Sequence, residues 1–592
     1  MLSGDAAAAR HSLGSAADEP RQPIAAPYPC SRSQNQRRRS KSLTHALPLG
    51  RPSGGSSQPP PPEPPASPGV DLRVLAPPPD RGLAPPQPLF RFWVDELLWS
   101  QGRVAVELLE QVLHEAGGLR TGGPSREQER ERRRRMLAAA AAATAAGPRP
   151  HPGPCLGSQH IDCWEVLWTK STYAIPAARA MRPGQLVSAI IGLNSLTMKK
   201  RLLLTLRGAL GPDAAFGITP RSFALPEELD AWEECIRRQQ RVQQQQQQQQ
   251  QRERERKQRR GDGGAPAKQN GGCGGDGGGG DGGGGGDGPL GASLWILKTG
   301  QDAGKGLSLL PADQAVRYAR QHQQQQQDQG GGGSGGGRRF ELQVAQQYIA
   351  DPFLIHGRKF HLRLWLLVTC HSPLRAYLHR RGLVLFSSEL YDKAAAAEAS
   401  STGATAAGGG AAGGGAAAEG GATAPFAPPA SHVTNYARNN NTLVWSLRQL
   451  EQHLGAQRFR GLWAALCGAC GAAMAAAAPS LAEAHAWLAP AVQEYGFQVL
   501  GVDFLLDERL TPWLLECNSA PSIMVQHECE DTRALVYEQK HGMLRDTWAV
   551  VRGRVYGRGE ERERAAAGPG ATARWEAAHA GEYESLMPYI KR

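Results

Sequence analysis

Two acids and an amide in the last fifth of this chain are spaced for metal chemistry. Gly501-Val502-Asp503-Phe504-Leu505-Leu506 and Trp513-Leu514-Leu515-Glu516-Cys517-Asn518 are short apolar arms around a polar turn at Asp507 to Thr511. That pattern predicts an antiparallel β-hairpin. With Asp507 opposite Pro512, Asp503 falls opposite Glu516, and Asn518 projects from the same face as Glu516. Carboxylates facing each other across a ladder repel, so a cation must compensate. Two carboxylates and an amide form an oxygen donor set. Such a set suits a hard divalent ion such as Mg²⁺, which keeps room for water and phosphate oxygens. A solvated edge with scattered acids is the plainer alternative. The flanking Phe504, Leu505, Trp513 and Leu514 argue instead for a buried sheet, where unpaired acids are costly.

Two further segments supply positive charge. Arg358 to Val368 alternates polar and apolar, so Lys359, His361 and Arg363 share one strand face and Phe360, Leu362, Leu364 and Leu366 the other. A cationic stripe with an apolar back is a candidate phosphate-facing wall. The charges of Lys359 and Arg363 predict a lowered pKa for His361 and a neutral imidazole near pH 7. Ser293 to Leu310 reads as strand, Gly-rich loop, strand. It is not a Walker A loop, because only three residues separate Gly300 from Gly304 and Gly306 follows Lys305. Its glycines would let backbone N–H groups approach phosphates, with Lys298 and Lys305 supplying charge.

Together these segments resemble the ATP-grasp core of the tubulin–tyrosine ligase-like family. Trp295-Ile296-Leu297-Lys298 and the Gly-Lys-Gly loop resemble its first nucleotide-binding strand. Val344-Ala345-Gln346-Gln347-Tyr348-Ile349 resembles its adenine-contacting hinge, and Arg358 to Arg363 its Arg-Lys-Phe-Asp-x-Arg strand. His432-Val433-Thr434-Asn435 resembles its His-Leu-Thr-Asn motif, and Asp503-Phe504 with Glu516 to Pro521 its Mg²⁺-binding end. Upstream, Leu196 to Lys200 and Pro220 to Pro226 resemble its N-terminal region. Three positions depart from the pattern: His361 stands for Asp, Gln347 for the tyrosine ligase's Lys, and Leu385 for an Arg that many members carry near the reaction centre.

The resemblance implies an α+β ATP-grasp fold with the nucleotide between two sheet-containing subdomains. ATP would lie against Lys199, Lys298, Lys305, Gln346, Gln347, Ile349 and Lys359, and Mg²⁺ against Asp503, Glu516 and Asn518. Lys359, His361, Arg363, Thr434 and Asn435 would line the reaction centre. The activity implied is ATP-dependent amide formation between a free amino acid and a protein carboxylate through an acyl phosphate, with tubulin or another acidic protein tail as acceptor. The departures keep open a nucleotide-binding pseudoenzyme acting as a cytoskeletal binding module, or a ligase with a non-tubulin substrate.

Much of the 592-residue chain has a composition that cannot pack. Residues 1–88 are Pro-, Ser-, Gly- and Arg-rich and read as a disordered tail. An Arg run and Ala/Gly/Pro tract interrupt a region of 89–236 at 120–158. Gln, Arg/Glu and Gly/Asp tracts form a low-complexity linker at 237–291. Shorter tracts at 321–337 and 393–429 interrupt a catalytic domain of 292–535, and 536–592 reads as a helical tail. Loop closure cost grows only logarithmically with length, so one catalytic unit can carry such insertions. Helices are expected at Asp95 to Gly117, Asn194 to Leu210, Thr442 to Leu454 and 458–494.

The formal charge of +12 suits an acidic partner. Its basic runs fall in tracts expected to be solvated, which disfavours a nucleic-acid role. The ten cysteines show no secreted framework, and Cys467-Gly468-Ala469-Cys470 lacks the second ligand pair of a zinc site. No apolar run reads as long enough to span a membrane. The expected location is the cytoplasm, at the cytoskeleton or cilium.

Overall fold

The computed structural model describes residues 89–95, 106–122, 160–170, 174–261, 293–300, 306–329, 341–393, 428–432, 434, 442–488, 494–555 and 570–590. The chain divides into units of residues Met1–Leu83 and Ala84–Arg592, and every described residue lies in the second. The tail expected at 1–88 and most of the insertions at 120–158 and 393–429 lie outside the described residues.

The described strands form three sheets. The first is parallel, with order β2-β1-β3-β4, from β1 (Phe90–Val94), β2 (Gly118–Gly122), β3 (Val166–Trp168) and β4 (Leu186–Val187). The second is antiparallel, with order β5-β8-β6-β7, from β5 (Ser222–Ala224), β6 (Leu294–Thr299), β7 (Leu307–Pro311) and β8 (Leu342–Gln347). The third is also antiparallel, with order β11-β10-β9-β12-β13, from β9 (Phe360–His371), β10 (Leu374–Phe386), β11 (Val444–Ser446), β12 (Gln498–Leu506) and β13 (Pro512–Asn518). A short β14 (Tyr583–Ser585) joins this sheet at β10. The fold is α+β.

Strict alternation makes the third sheet the centre of the molecule. Phe360, Leu362, Leu364, Leu366 and Val368 enter one core with Leu500, Val502, Phe504 and the helix Ala456–Ala484. Trp365 and Leu367 enter the opposite core with Leu383 and Leu385, the helix Glu530–Val551 and the first sheet. The first sheet is tied on where Val187 N donates to the Tyr495 carbonyl and Phe497 N to the Val187 carbonyl. The second sheet buries Trp295 and Leu297 against Trp232 and Ile236 of the helix Leu229–Gly261 and against the helix Ala312–Gln329.

Several expected elements differ. Of the helix expected at Asp95 to Gly117, residues 96–105 lie outside the described residues. The chain leaves β1 at a buried Asp95, and a nine-residue helix runs only from Glu107 to Glu115. Asn194 to Leu210 is broken at Met198, whose backbone is extended (φ −99°, ψ 125°). Thr442 to Leu454 holds β11 and then a helix Leu447–Leu454 started by a capping box, in which Ser446 and Gln449 bond reciprocally. The linker expected at 237–291 begins as helix, because the helix Leu229–Gly261 runs through the Gln tract with its side chains exposed from Gln244 to Arg256. The expected helical tail supplies β14. Contrary to the expectation about apolar runs, Ala456–Ala484 is long and apolar enough to cross a membrane by length and composition, since alanines carry its hydropathy. Phe459, Leu462, Leu466, Met474 and Leu481 bury it as a core helix.

Candidate active site

Asp503 and Glu516 are direct cross-strand partners in the β12–β13 hairpin, and Asn518 stands opposite Gly501. The turn, however, is one residue longer than expected: Leu506, not Asp507, pairs with Pro512. A bulge between Asp503 and Phe504 passes over Leu515 and restores the pairing at the acids. The bulge also sorts the strand. Leu514 and Cys517, three apart, both face the core beneath, so Glu516 and Asn518 are left on the opposite face with Asp503. The Asn518 amide nitrogen lies 3.3 Å from Asp503 Oδ2 and 3.5 Å from Glu516 Oε1. Among the described residues no group of three or more His, Cys, Asp or Glu side chains could hold a metal, so any cation here would use this two-acid, one-amide set.

The neighbouring β9 places its charged stripe on the same face, with Arg363 directly across from Asp503. Arg363 holds both Asp503 oxygens, through Nε to Oδ1 and Nη2 to Oδ2, the latter 2.8 Å. Burial opposes the guanidinium's charge, but Asp503 keeps its pKa above the ordinary value. His361 is 5% exposed. Its Nδ1 lies 2.7 Å from Thr434 Oγ1 and its Nε2 3.9 Å from Asp503 Oδ1. Its pKa falls to about 3, first through burial and then through the Arg363 charge, so the ring is neutral, as expected, with burial as the larger cause. Leu385 stands directly across the β9–β10 ladder from His361 and is buried. The ladder thus carries a neutral pair at both positions.

Lys359 precedes β9 and is 5% exposed. Its ammonium donates to the Tyr348 hydroxyl (2.8 Å) and the His432 carbonyl (3.2 Å) and lies over the Tyr348 ring. Tyr348 OH meets His432 Nδ1 at 2.7 Å, and His432 Nε2 lies 2.7 Å from the Asp392 carbonyl. Burial alone pushes Lys359 down to about 7. Lys298 on β6 is driven by burial down to about 8, while the charges of Glu516 and Asp503 pull it back up and that of Lys199 lowers it. The second sheet therefore turns a lysine toward the acids of the third. The helix Lys199–Leu210, which begins at Lys199, touches β5, β8 and β13 and so bridges the two sheets.

The hinge residues divide. Gln346 shares the Lys298 face, pairs with Ile296 and donates to Ser222 Oγ at 3.0 Å. Gln347 pairs with Trp295 and so belongs to the opposite face, and Ile349 follows the strand half-buried. Lys305 and Asn435 lie outside the described residues. Sequence reasoning passed over the roles of Tyr348 and His432, although both sit inside quoted motifs. It also missed Lys540 on the helix Glu530–Val551. The available signal was a lone lysine in the apolar stripe Val536, Met543, Leu544.

The arrangement gathers buried cations beside an acidic end. Lys298, Lys359 and Arg363 can hold phosphate oxygens, and Glu516 is a half-buried carboxylate whose nearest partner is an amide at 3.5 Å. A model of the tubulin-tyrosine ligase family matches residues 209–402 and 430–553, more than half of the chain. The chain belongs to this family. It is similar to tubulin polyglutamylase ttll6 of Danio rerio, 28% identical over 225 residues, which are 36% of this chain and 25% of that protein. It is also similar to tubulin polyglutamylase TTLL7 of Homo sapiens (27% over 223 residues, 34% and 21%) and to the probable tubulin polyglutamylase TTLL9 of Mus musculus (29% over 217 residues, 36% and 39%). The chain thus spans between about a fifth and two fifths of the length of these relatives.

Proposed function

We propose that this protein is an ATP-dependent ligase that joins a free amino acid to a carboxylate of an acidic protein tail, with a tubulin C-terminal tail as acceptor. The observation that carries the reading is the Asp503–Glu516 cross-strand pair with Asn518 beside it, faced by Arg363 on the next strand and by Lys298 from the other sheet. Family membership and relatives named tubulin polyglutamylases support it. The protein would work in the cytoplasm at microtubules or in a cilium.

The residues fit Mg²⁺ and ATP. Each carboxylate has about four lone-pair sites, so Asp503 can accept from Arg363 and still offer an oxygen, and Glu516 has both oxygens to give. Asp503, Glu516 and Asn518 would hold the ion, which would supply charge neutralisation for the phosphates. Lys199, Lys298 and Lys359 would bind the phosphates, and Gln346 and Ile349 would lie along the adenine, with Gln347 reaching it through its backbone because its side chain belongs to the opposite face. Lys305 and Asn435 join these groups through the family resemblance. Arg363 would stabilise charge on the acceptor carboxylate as it becomes an acyl phosphate. Thr434 fixes the neutral His361 ring, which can donate or accept one hydrogen bond to a substrate but brings no charge. The amine of the amino acid would then displace phosphate and form the amide.

The test is ligation with MgATP, tubulin and each labelled amino acid in turn, with phosphate release measured in parallel. Transfer of label with stoichiometric phosphate supports the ligase. The neutral His361–Leu385 pair favours one second reading, a nucleotide-binding module without turnover. MgATP binding with no phosphate release in a single turnover would select it.

A further inference from the structure

We propose that Lys540 is a substrate-binding residue whose ammonium receives an anionic oxygen group, a carboxylate of the amino acid or a phosphate of the nucleotide, beside Arg363; the choice of these ligands rests on the ligase reading above.

Lys540 lies on the helix Glu530–Val551 in one stripe with Val536, Met543 and Leu544, at helical spacings of three and four. That stripe packs against Trp365, Leu367, Leu383 and Leu385, the face of β9 and β10 that also carries Arg363 and His361. Lys540 is therefore a lysine pointed into the side of the sheet where the reaction residues stand, and it is 6% exposed. Its Nζ donates to the Met524 carbonyl at 2.7 Å. An ammonium has three N–H donors, so two remain for a ligand. Among the described residues no carboxylate pairs with it, and the charge that acts on it is that of Arg363, of the same sign. Burial and then Arg363 push its pKa down to about 7.

Arg363 has its counter-ion in Asp503. Among the described residues Lys540 has none, and an uncompensated buried cation is costly. Such a residue is explained by an anion that arrives with the substrate. Met524 belongs to the loop after the metal end, whose Pro521 packs on Gly501 beside the Arg363 side chain. The ammonium thus stands where that loop closes over Arg363. A purely structural role, pinning the loop through Met524, is the competing account.

The experiment compares Lys540→Met and Lys540→Arg in the full chain, with Lys540→Gln as a second neutral variant. Melting is recorded without ligands, MgATP affinity by equilibrium binding, and KM for the amino acid by ligation. A substrate-binding lysine predicts that Lys540→Met melts no lower than wild type, because a lone buried charge is removed. It also predicts at least a tenfold loss in one constant while Lys540→Arg stays within about threefold of wild type. A rise in the amino-acid KM alone assigns a carboxylate, and a loss of MgATP affinity assigns a phosphate. Both constants within threefold of wild type in the neutral variants would overturn the proposal. So would failure of both neutral variants to fold, since that marks the Met524 pin as the role. If wild type binds MgATP but ligates nothing, the ligase reading fails, while the melting and MgATP arms still judge Lys540.

Discussion

Lys359 gives the sharpest handle on nucleotide binding. Its ammonium is buried, is held by two neutral oxygens, and titrates at about 7. A polyphosphate would bind the charged form. Above the pKa the lysine must take up a proton on binding, so affinity is full below pH 7 and is lost as pH rises. The factor is 1 + 10^(pH − pKa), which grows about tenfold for Lys359 between pH 6 and pH 8. Lys298, at about 8, adds about twofold over the same range. Together the loss is about twentyfold, or about 1.8 kcal/mol. MgATP affinity measured at pH 6, 7 and 8 by calorimetry in buffers of different ionisation enthalpy would give both the slope and the proton uptake. Lys359→Arg keeps its charge throughout and should flatten the change to about twofold. A flat profile in wild type would refute the reasoning. So would an equal slope in Lys359→Arg, which would place the titration on another group of the protein.

Other perturbations probe the frame around the cleft. Glu516→Gln should abolish Mg²⁺-dependent nucleotide binding and leave the melting transition in place, and unchanged affinity would remove the metal assignment. A Cβ at Gly501 would lie 2.9 Å from Pro521 Cβ and 3.4 Å from Arg363 Cδ, so Gly501→Ala should cost about 1–3 kcal/mol and weaken MgATP binding. Glu576 is fully buried and accepts from Thr369, Arg375 and Tyr377, so Glu576→Gln should cost about 3–5 kcal/mol in denaturant unfolding. Replacing residues 262–288 and 394–427 with short Gly/Ser linkers should leave MgATP affinity unchanged, and loss of binding in a folded protein would place those segments at the site.

The strands that carry chemistry were legible because period-two alternation is local. Lys359, His361 and Arg363 fell on one face, and Asp503 met Glu516, from residue types alone. The pairing at the acids came out right for an incomplete reason: a bulge at Leu515, which no turn signal announces, offset a turn register one residue off. The described part of the helix expected from Asp95 is helical only from Glu107 to Glu115, because leucine and valine spacing alone does not mark where a helix starts and stops. The neutral state of His361 was legible in sign, but burial, its main cause, depends on how the helix and sheets close over it. The Lys359–Tyr348–His432 contact joins residues 73 apart across a long insertion, and no local pattern encodes it. Lys540 was hidden for a similar reason, since a single lysine in an apolar stripe looks like a surface exception until the stripe is seen to be buried.

The C-terminal strand has a consequence for how the protein is made. Thr369 on β9 and Glu576 on the helix Ala571–Ala578 are 207 residues apart in the chain, yet they bond on the central sheet, and β14 completes that sheet at β10. At roughly 5–20 residues per second of synthesis, about 10–40 s pass between the emergence of these partners. During that interval Arg375 lacks its buried counter-ion and the β10 edge at Tyr377 to His379 is open to any passing strand. The nascent chain would therefore present an open strand edge, and yield in cells should respond to the speed at which the stretch between β10 and β14 is translated.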